Sequence, residues 1–500
     1  MTECVSKTLV TERAGADKGG PGEEDEAARL RYAWRAVSVT SLGMFLTGLN
    51  SSSLNVALPA VVAHFDAGAF LASWVLLTYM LISSVGLVVF GRVADLFGRR
   101  GTYLLGFVVF TVASLLAGFS PTIELLLAAR VAQACGSAMI LANSSAILAS
   151  AFPPARLGKG MAVYMAIISV AGLVGPSFGG FLAGAAGWQW VFWFNVPVGV
   201  AAIVWGAVTL RPVPRGARER LDLPGIVLLF TWLGGLLLAL SQGSSLGWLS
   251  PWVVAGGVAF AVAAPVFALV QWRSRAPLLD LRLFGDRSFA LANLAAVLNS
   301  LGQFSIVLVI SLFLQSTRQF EPVQAGLAVL PVPAASALTS LIAGALTGRF
   351  HPRTVAVAGS ALSAAGMAVM LAALDPAVPY AWLGTALGLV GAGTGLFITA
   401  NTTAIMMDAP QDRLGVVNGV RLMLVNVSTV ISTAMSLAIV ASAVPAAERH
   451  LVYAADPARL AGVAGVLQDG YRLAVAVLLV LAVAATLVTA LSRTGARRAG

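Results

Sequence analysis

This chain has little charge. Only 10% of its 500 residues are Asp, Glu, Lys or Arg, while 58% are hydrophobic; soluble domains average roughly 25% and 45–50% on those measures. Such a composition cannot clothe a water-facing surface, so most of the exterior must meet lipid. Lysine is nearly missing, with Lys7, Lys18 and Lys159 as the whole set. Two cysteines, Cys4 in a polar stretch and Cys135 inside an apolar run, exclude a disulfide framework. His64, His351 and His450 are too scattered for a metal site or a nucleophile–base pair. No G-x-x-x-x-G-K-[ST] phosphate loop occurs, so nothing points to ATP hydrolysis. An enzyme, a cofactor and a bound metal are therefore not expected.

What is present is a series of long apolar runs. A helix needs about 20 apolar residues to cross a bilayer, and fourteen candidates fall near 36–63, 71–91, 101–119, 122–151, 158–184, 191–210, 224–243, 252–272, 289–316, 323–348, 354–374, 379–407, 414–441 and 471–492. They are continuously apolar rather than alternating, which excludes barrel strands. The net charge of +10 would suggest nucleic acid in a soluble chain. Here the basic residues sit in short loops between apolar runs, so lipid headgroups are the expected partner and nucleic acid is not. With the amino terminus inside, internal loops hold sixteen basic residues, including Arg92, Arg99, Arg100, Arg156, Lys159, Arg211, Arg349, Arg353 and Arg413; external positions hold four, Arg318, Arg449, Arg459 and Arg472. That bias places both termini in the cytoplasm. Residues 1–35 lack a signal-peptide core and read as a disordered cytoplasmic tail. The arginine, alanine and glycine bias fits a GC-rich bacterial genome, hence a bacterial inner membrane.

Gly91–Arg100, G-R-V-A-D-L-F-G-R-R, lies between the second and third runs, and a weaker copy, G-A-L-T-G-R-F-H-P-R, spans Gly344–Arg353 after the tenth. Two six-helix bundles with a two-helix insert would produce that phase: 36–211, a linker and insert at 212–288, 289–492, and a cytoplasmic tail at 493–500. Parallel halves with substrate near the midplane are a recurring transporter plan.

These motifs resemble the major facilitator superfamily, in particular its fourteen-helix drug:proton antiporter branch, over about residues 36–492. The loop matches at Gly91, Asp95, Gly98, Arg99 and Arg100. Arg130, Gln133, Gly136 and Ala138 match the R-x-x-Q pattern, with Ala134 in place of a glycine. Gly175-Pro176-Ser177-Phe178-Gly179-Gly180 matches the G-P-x-x-G-G segment associated with export, and Gly187–Gly199 resembles the entry to the sixth helix, with Gln189 where arginine is common. The resemblance implies an all-α polytopic membrane protein of the major facilitator fold. It implies a monomeric exporter of lipophilic small molecules, drug-like compounds or secondary metabolites. The exporter would be driven by protons and would confer antibiotic resistance. Asp95 can pair with Arg99 or Arg92, or sit at a helix amino terminus of the other bundle, forming a clasp in one access state.

Arg130 and Arg421 are the basic residues inside the expected spans. Arg130 lies too deep to reach the surface and is expected to line the cavity; Arg421 is near enough to a span end that snorkelling accounts for it as well as a functional role does. No acid lies mid-span. Relatives carry an aspartate in L-D-x-x-x-x-N-V-A-L-P, where this chain has Asn50, which cannot titrate. Glu124 and Asp66, near span ends, are the candidates for proton coupling, with Glu124 linked to Arg130. A neutral polar wall is expected from Asn50, Asn55, Gln133, Asn143, Asn299, Gln303 and Asn401, with Trp74, Tyr79, Tyr164 and Phe304 as aromatic surface. The Asn50 departure keeps open an uncoupled facilitator or importer; a narrow exporter of an endogenous metabolite is equally compatible.

Overall fold

A computed structural model describes residues 21–65, 69–211, 222–274, 277–279, 281–320, 322–375, 377–410, 413–443 and 464–492. Every regular element among them is helical, which is how an apolar chain satisfies its own backbone hydrogen bonds in hydrocarbon. The first group is α1 (Pro21–Phe65), α2 (Ala69–Phe97), α3 (Arg99–Gly118), α4 (Ile123–Ala151), α5 (Pro154–Ala185), α6 (Trp190–Trp193) and α7 (Asn195–Thr209). Next come α8 (Leu223–Leu246) and α9 (Pro251–Arg273). The second group is α10 (Arg287–Gln303), α11 (Ile306–Thr317), α12 (Pro322–Ala328), α13 (Pro331–Leu346), α14 (Pro352–Ala373), α15 (Tyr380–Asp408), α16 (Leu414–Ser442) and α17 (Ala464–Leu491).

Local chemistry sets many boundaries. The side chains of Thr122, Asp222, Ser250 and Asp286 accept hydrogen bonds from backbone N–H groups in the first turns of α4, α8, α9 and α10, where orphan donors need partners. Proline opens α5, α9, α13 and α14, where its missing N–H costs nothing. Twelve helical stretches among the described residues are long and apolar enough to span a membrane, against the fourteen expected. The long helices α1 and α5 stand outside that set, and pack against each other.

Three expected runs arrive broken. The run at 191–210 divides at Phe194 into α6 and α7; 289–316 divides at Phe304–Ser305 into α10 and α11; and 323–348 divides ahead of Pro331 into α12 and α13. Pro331 and Pro333 cannot donate to the preceding turn, which explains the last break. At the second, the Ser305 hydroxyl bonds Ser436 (2.6 Å) and Ser432 (2.9 Å) of α16. The disordered tail expected over 1–35 is corrected in part: α1 begins at Pro21. The extension has tertiary partners, because Glu26 ion-pairs with Arg156 at 3.1 Å, and Tyr32 Oη accepts from the Arg211 backbone N–H. Residues 1–20, 212–221 and 493–500 lie outside the described set.

In the first group α1 packs on α5 and α4, α3 on α4 and α7, and α2 on α4. In the second, α14 packs on α15 and α17, α13 on α15, and α10 on α16 and α17. The groups meet where α2 packs on α16 and α5 on α13. Inserted helix α8 packs on α9 and lies over the α2–α16 seam, burying Leu229, Leu233 and Leu237 against Val85, Val88, Val416, Val420 and Met423. A polar node holds the ends of the insert together. Asp222 accepts from Gln271 Nε2 (2.7 Å) and the Leu278 N–H (3.3 Å), and Gln271 Oε1 accepts from the Leu279 N–H (2.9 Å).

Candidate transport site

Arg130 anchors the interior of the first bundle. It is 1% exposed and sits about two turns into α4. Its Nε donates to the Val75 carbonyl of α2 at 3.2 Å, and its Nη1 to Gln133 Oε1, one helical turn on, at 2.5 Å. The guanidinium lies 4.2 Å over the Tyr79 ring, a favourable place for a cation shielded from water. Tyr79 Oη donates to Ser137 Oγ at 2.8 Å. Gln133 Nε2 in turn donates to Asn50 Oδ1 of α1 (3.1 Å) and Ser114 Oγ of α3 (2.7 Å). Asn50 Oδ1 also accepts from Asn195 Nδ2 of α7 at 3.2 Å. One network, neutral apart from Arg130, therefore joins α1, α3, α4 and α7, and α2 enters through Val75 and Tyr79. Asn50 Nδ2 is buried with no partner inside the protein, so this network keeps a donor unsatisfied at its centre.

The structure brings together Arg130, Gln133 and Asn50 and adds three residues that the sequence reading had not singled out as site residues: Ser114, Ser137 and Asn195. Ser114 carries no sequence signal; Asn195 was signalled by its place in Gly187–Gly199. Asn143 is buried on α4 but donates to its own helix at Met139. The side chain of Asn55, and Asp66 altogether, lie outside the described residues. Glu124 is exposed in the first turn of α4, and Arg130's hydrogen bonds run to Val75 and Gln133 instead.

A second network occupies the other bundle. Gln303 Nε2 donates to Asn299 Oδ1 on the same face of α10 at 2.7 Å, and Gln303 Oε1 accepts from Thr394 Oγ1 of α15. Asn401 stands apart from it: its Nδ2 donates to the Ala292 carbonyl, and it lines a cavity of about 50 Å³ with Ser288, Arg353 and Asp408 near helix ends. Of the aromatic candidates, Tyr79 and Tyr164 are buried and Phe304 is exposed.

Arg421 does not snorkel. It is buried on α16 and donates to Asn418 Oδ1 at 3.3 Å. Asn418 Nδ2 crosses the bundle boundary to the carbonyls of Leu141 and Ala142 on α4, at 3.0 and 2.9 Å.

The loop motif forms an inter-bundle junction. Asp95 Oδ1 accepts from Arg99 Nε (3.0 Å) and the Gly415 N–H (3.2 Å), and Oδ2 accepts from the Val416 N–H (3.0 Å). The carboxylate thus closes the amino terminus of α16, where free N–H groups and the helix dipole favour an anion. Both partners of the Asp95–Arg99 pair are nearly water-free. Glycine lets the backbones meet: a Cβ on Gly91 would lie 2.5 Å from the Gly415 carbonyl oxygen, and one on Gly415 2.6 Å from that of Gly91. Gly98 turns the chain between α2 and α3 at φ 111°, a conformation that side chains rarely adopt. Arg100 is used elsewhere, donating to the Ala207 carbonyl of α7 at 2.8 Å. The second loop copy also meets the opposite bundle, since a Cβ on Gly344 would lie 2.9 Å from the Gly158 carbonyl oxygen of α5.

Gly175 and Gly179 of α5 face α1 within one bundle. A Cβ on Gly179 would lie 2.5 Å from Ser53 Cα, Gly175 contacts Ser52, and Ser53 Oγ donates to the Gly175 carbonyl at 2.9 Å. Gly180 and Pro176 belong to the same helix, which runs unbroken through them; the Pro176 side chain lies outside the described set.

Comparison with known proteins identifies the family. The chain matches the Major Facilitator Superfamily over residues 40–433 and again over 292–498. It is 33% identical over 385 residues to "Multidrug resistance protein Stp" of Mycobacterium tuberculosis (strain CDC 1551 / Oshkosh), covering 76% of this chain and 71% of that one. It is 31% identical over 374 residues to the "Methylenomycin A resistance protein" of Bacillus subtilis (strain 168), covering 75% and 80%. Among solved structures, the human organic anion transporter MFSD10 (TETRAN) superposes with a TM-score of 0.60 at 17% identity, covering 90% of this chain and 99% of that one. The chain is a multi-pass membrane protein and belongs to the Major Facilitator Superfamily.

Proposed function

We propose that this protein exports drug-like or secondary-metabolite small molecules by alternating access, using the proton gradient across a bacterial inner membrane. The observation that carries the transport reading is the backbone-close approach of the two bundles at one set of helix ends. The close inter-bundle contacts at Gly91–Gly415, Asp95–Val416 and Gly158–Gly344 involve the C-terminal ends of α2 and α13 and the N-terminal ends of α5 and α16. The arginine distribution assigns that end to the cytoplasm, so the conformation reads as closed inside. Export of drug-like compounds is supported by the relatives named for drug resistance and by two interior networks whose donors and acceptors, Arg130 apart, are neutral, which suit amphipathic ligands. This reading takes α1 and α5 as spans, fourteen in all. It puts the bundles at 36–211 and 289–492, the insert between them, both termini in the cytoplasm, and the transporter at work as a monomer.

For the coupling ion, Glu124 is the nearest acid to Arg130 along α4, six residues or ~9 Å along the axis. An uncoupled facilitator is the second reading, favoured by Asn50 where an acid would serve. A compound panel in an efflux-deficient bacterium, with and without an uncoupler, separates them. Coupled export predicts resistance that collapses with uncoupler and falls in Glu124→Gln. Accumulation that simply follows the substrate gradient supports the facilitator. Unchanged susceptibility to every compound rejects a broad drug exporter.

A further inference from the structure

At the helix ends beside the loop motif, four arginines from three helices converge on one groove. Arg31 and Arg35 lie one turn apart on α1, Arg100 is in the first turn of α3, and Arg211 follows α7. They line a groove of about 670 Å³, and none of its described lining residues is acidic. Four like charges with no carboxylate among the described lining residues repel one another unless an anion joins them. Two are held in place. Arg211 lies 4.7 Å over the Tyr32 ring, and Arg100 donates to the Ala207 carbonyl while its Nε is buried without a hydrogen-bond partner. The amino terminus of α3, at the same place, has no side-chain cap; Gly98 precedes it.

One wall of the groove says what the anion is attached to. Trp205 lines it, half exposed, with its indole N–H donating to Ser38 Oγ at 2.9 Å. Tryptophan in this setting belongs at the headgroup level of a bilayer. From the groove, Val208, Val204 and Val200 form an exposed stripe along α7, with Val208 at 78%. Residues four apart share one helix face. A phosphate among the arginines would therefore have an apolar track beside it, leading toward the membrane interior.

We propose that this groove binds the headgroup of an anionic phospholipid, with its acyl chains along Val208, Val204 and Val200. The lipid phosphate bridges α1, α3 and α7. It fastens the cytoplasmic extension of α1 to the bundle, separately from the Asp95 junction. A soluble phosphate compound offers the same charge but has no use for the valine stripe.

The test uses the full chain in phosphatidylcholine nanodiscs doped with phosphatidylglycerol, read by native mass spectrometry as lipid retained after release. Wild type should retain phosphatidylglycerol over phosphatidylcholine, and millimolar inorganic phosphate should not displace it. Arg31→Gln/Arg35→Gln/Arg211→Gln should lose retention by about fivefold per arginine removed. The matching triple lysine variant should keep most of it, which separates lost charge from lost fold. Equal retention by wild type and the glutamine variant, or equal retention of the two lipids, overturns the proposal. So does displacement by inorganic phosphate, which would make the ligand a soluble anion.

Discussion

At the scale of single residues, Gln133 matters as much as Arg130. Its amide accepts from the arginine and donates to Asn50 and Ser114, so both ends of the side chain are used. Gln133→Leu leaves those groups buried and unmatched, at about 1–3 kcal/mol for a lost partner. The expected outcome is a lower unfolding temperature in detergent together with lost export; a variant as stable and active as wild type would remove the network from the mechanism. Asp95 has a different role. It receives two backbone N–H groups of the opposite bundle and the Arg99 guanidinium. Asp95→Asn keeps an acceptor for the backbone but loses the charge that favours the α16 terminus. Spin labels at the adjoining ends of α2 and α16 should then report a longer, broader distance distribution, and an unchanged distribution would show that the charge holds nothing closed.

At the scale of helices, the α2–α16 seam depends on the absence of side chains. Gly91 and Gly415 meet backbone to backbone, and a Cβ on Gly419 would collide with the Leu87 carbonyl. Gly415→Val must push α16 away from α2, so export should fall by more than about tenfold, the equivalent of 1.4 kcal/mol, while membrane insertion stays normal. Wild-type export from that variant would mean the seam does not need to close. Much of this was legible beforehand. The loop motif announced Asp95 and its glycines, and apolar runs announced the helices, because lipid imposes length and backbone satisfaction on each span separately. The fates of Arg421 and Asn401 were not legible. Depth along a helix gave Arg421 a route to the surface, but Asn418, one turn earlier on α16 and itself bonded to α4, holds it inside; Asn401 shares the polarity of the wall residues yet bonds near a helix end. The breaks at Phe194 and Phe304–Ser305 were equally hidden, because nothing in their apolar sequence marks them. Which way a residue faces comes from the partner helix, and one sequence does not encode that locally.

At the scale of the molecule, the insert has a position that the repeat alone did not predict. Helix α8 lies across the line where the two bundles join, so it touches the boundary that the proposed alternating access would move, rather than hanging at the periphery. The orientation can be checked directly. Alkaline phosphatase fused after residue 492 should be inactive and a fluorescent protein at the same site bright, since that end is assigned to the cytoplasm; the reverse pattern would invert every statement about inside and outside. The two interior networks have a further consequence. Arg130, Gln133, Asn50 and Asn195 bond within the first bundle, and Asn299, Gln303 and Thr394 within the second. If each bundle rocks as a solid piece, neither network has to break. The activation enthalpy of a turnover would then reside in the seam between the bundles. Substitutions there should alter how steeply transport rate climbs with temperature, whereas substitutions at the networks should alter which molecules are carried.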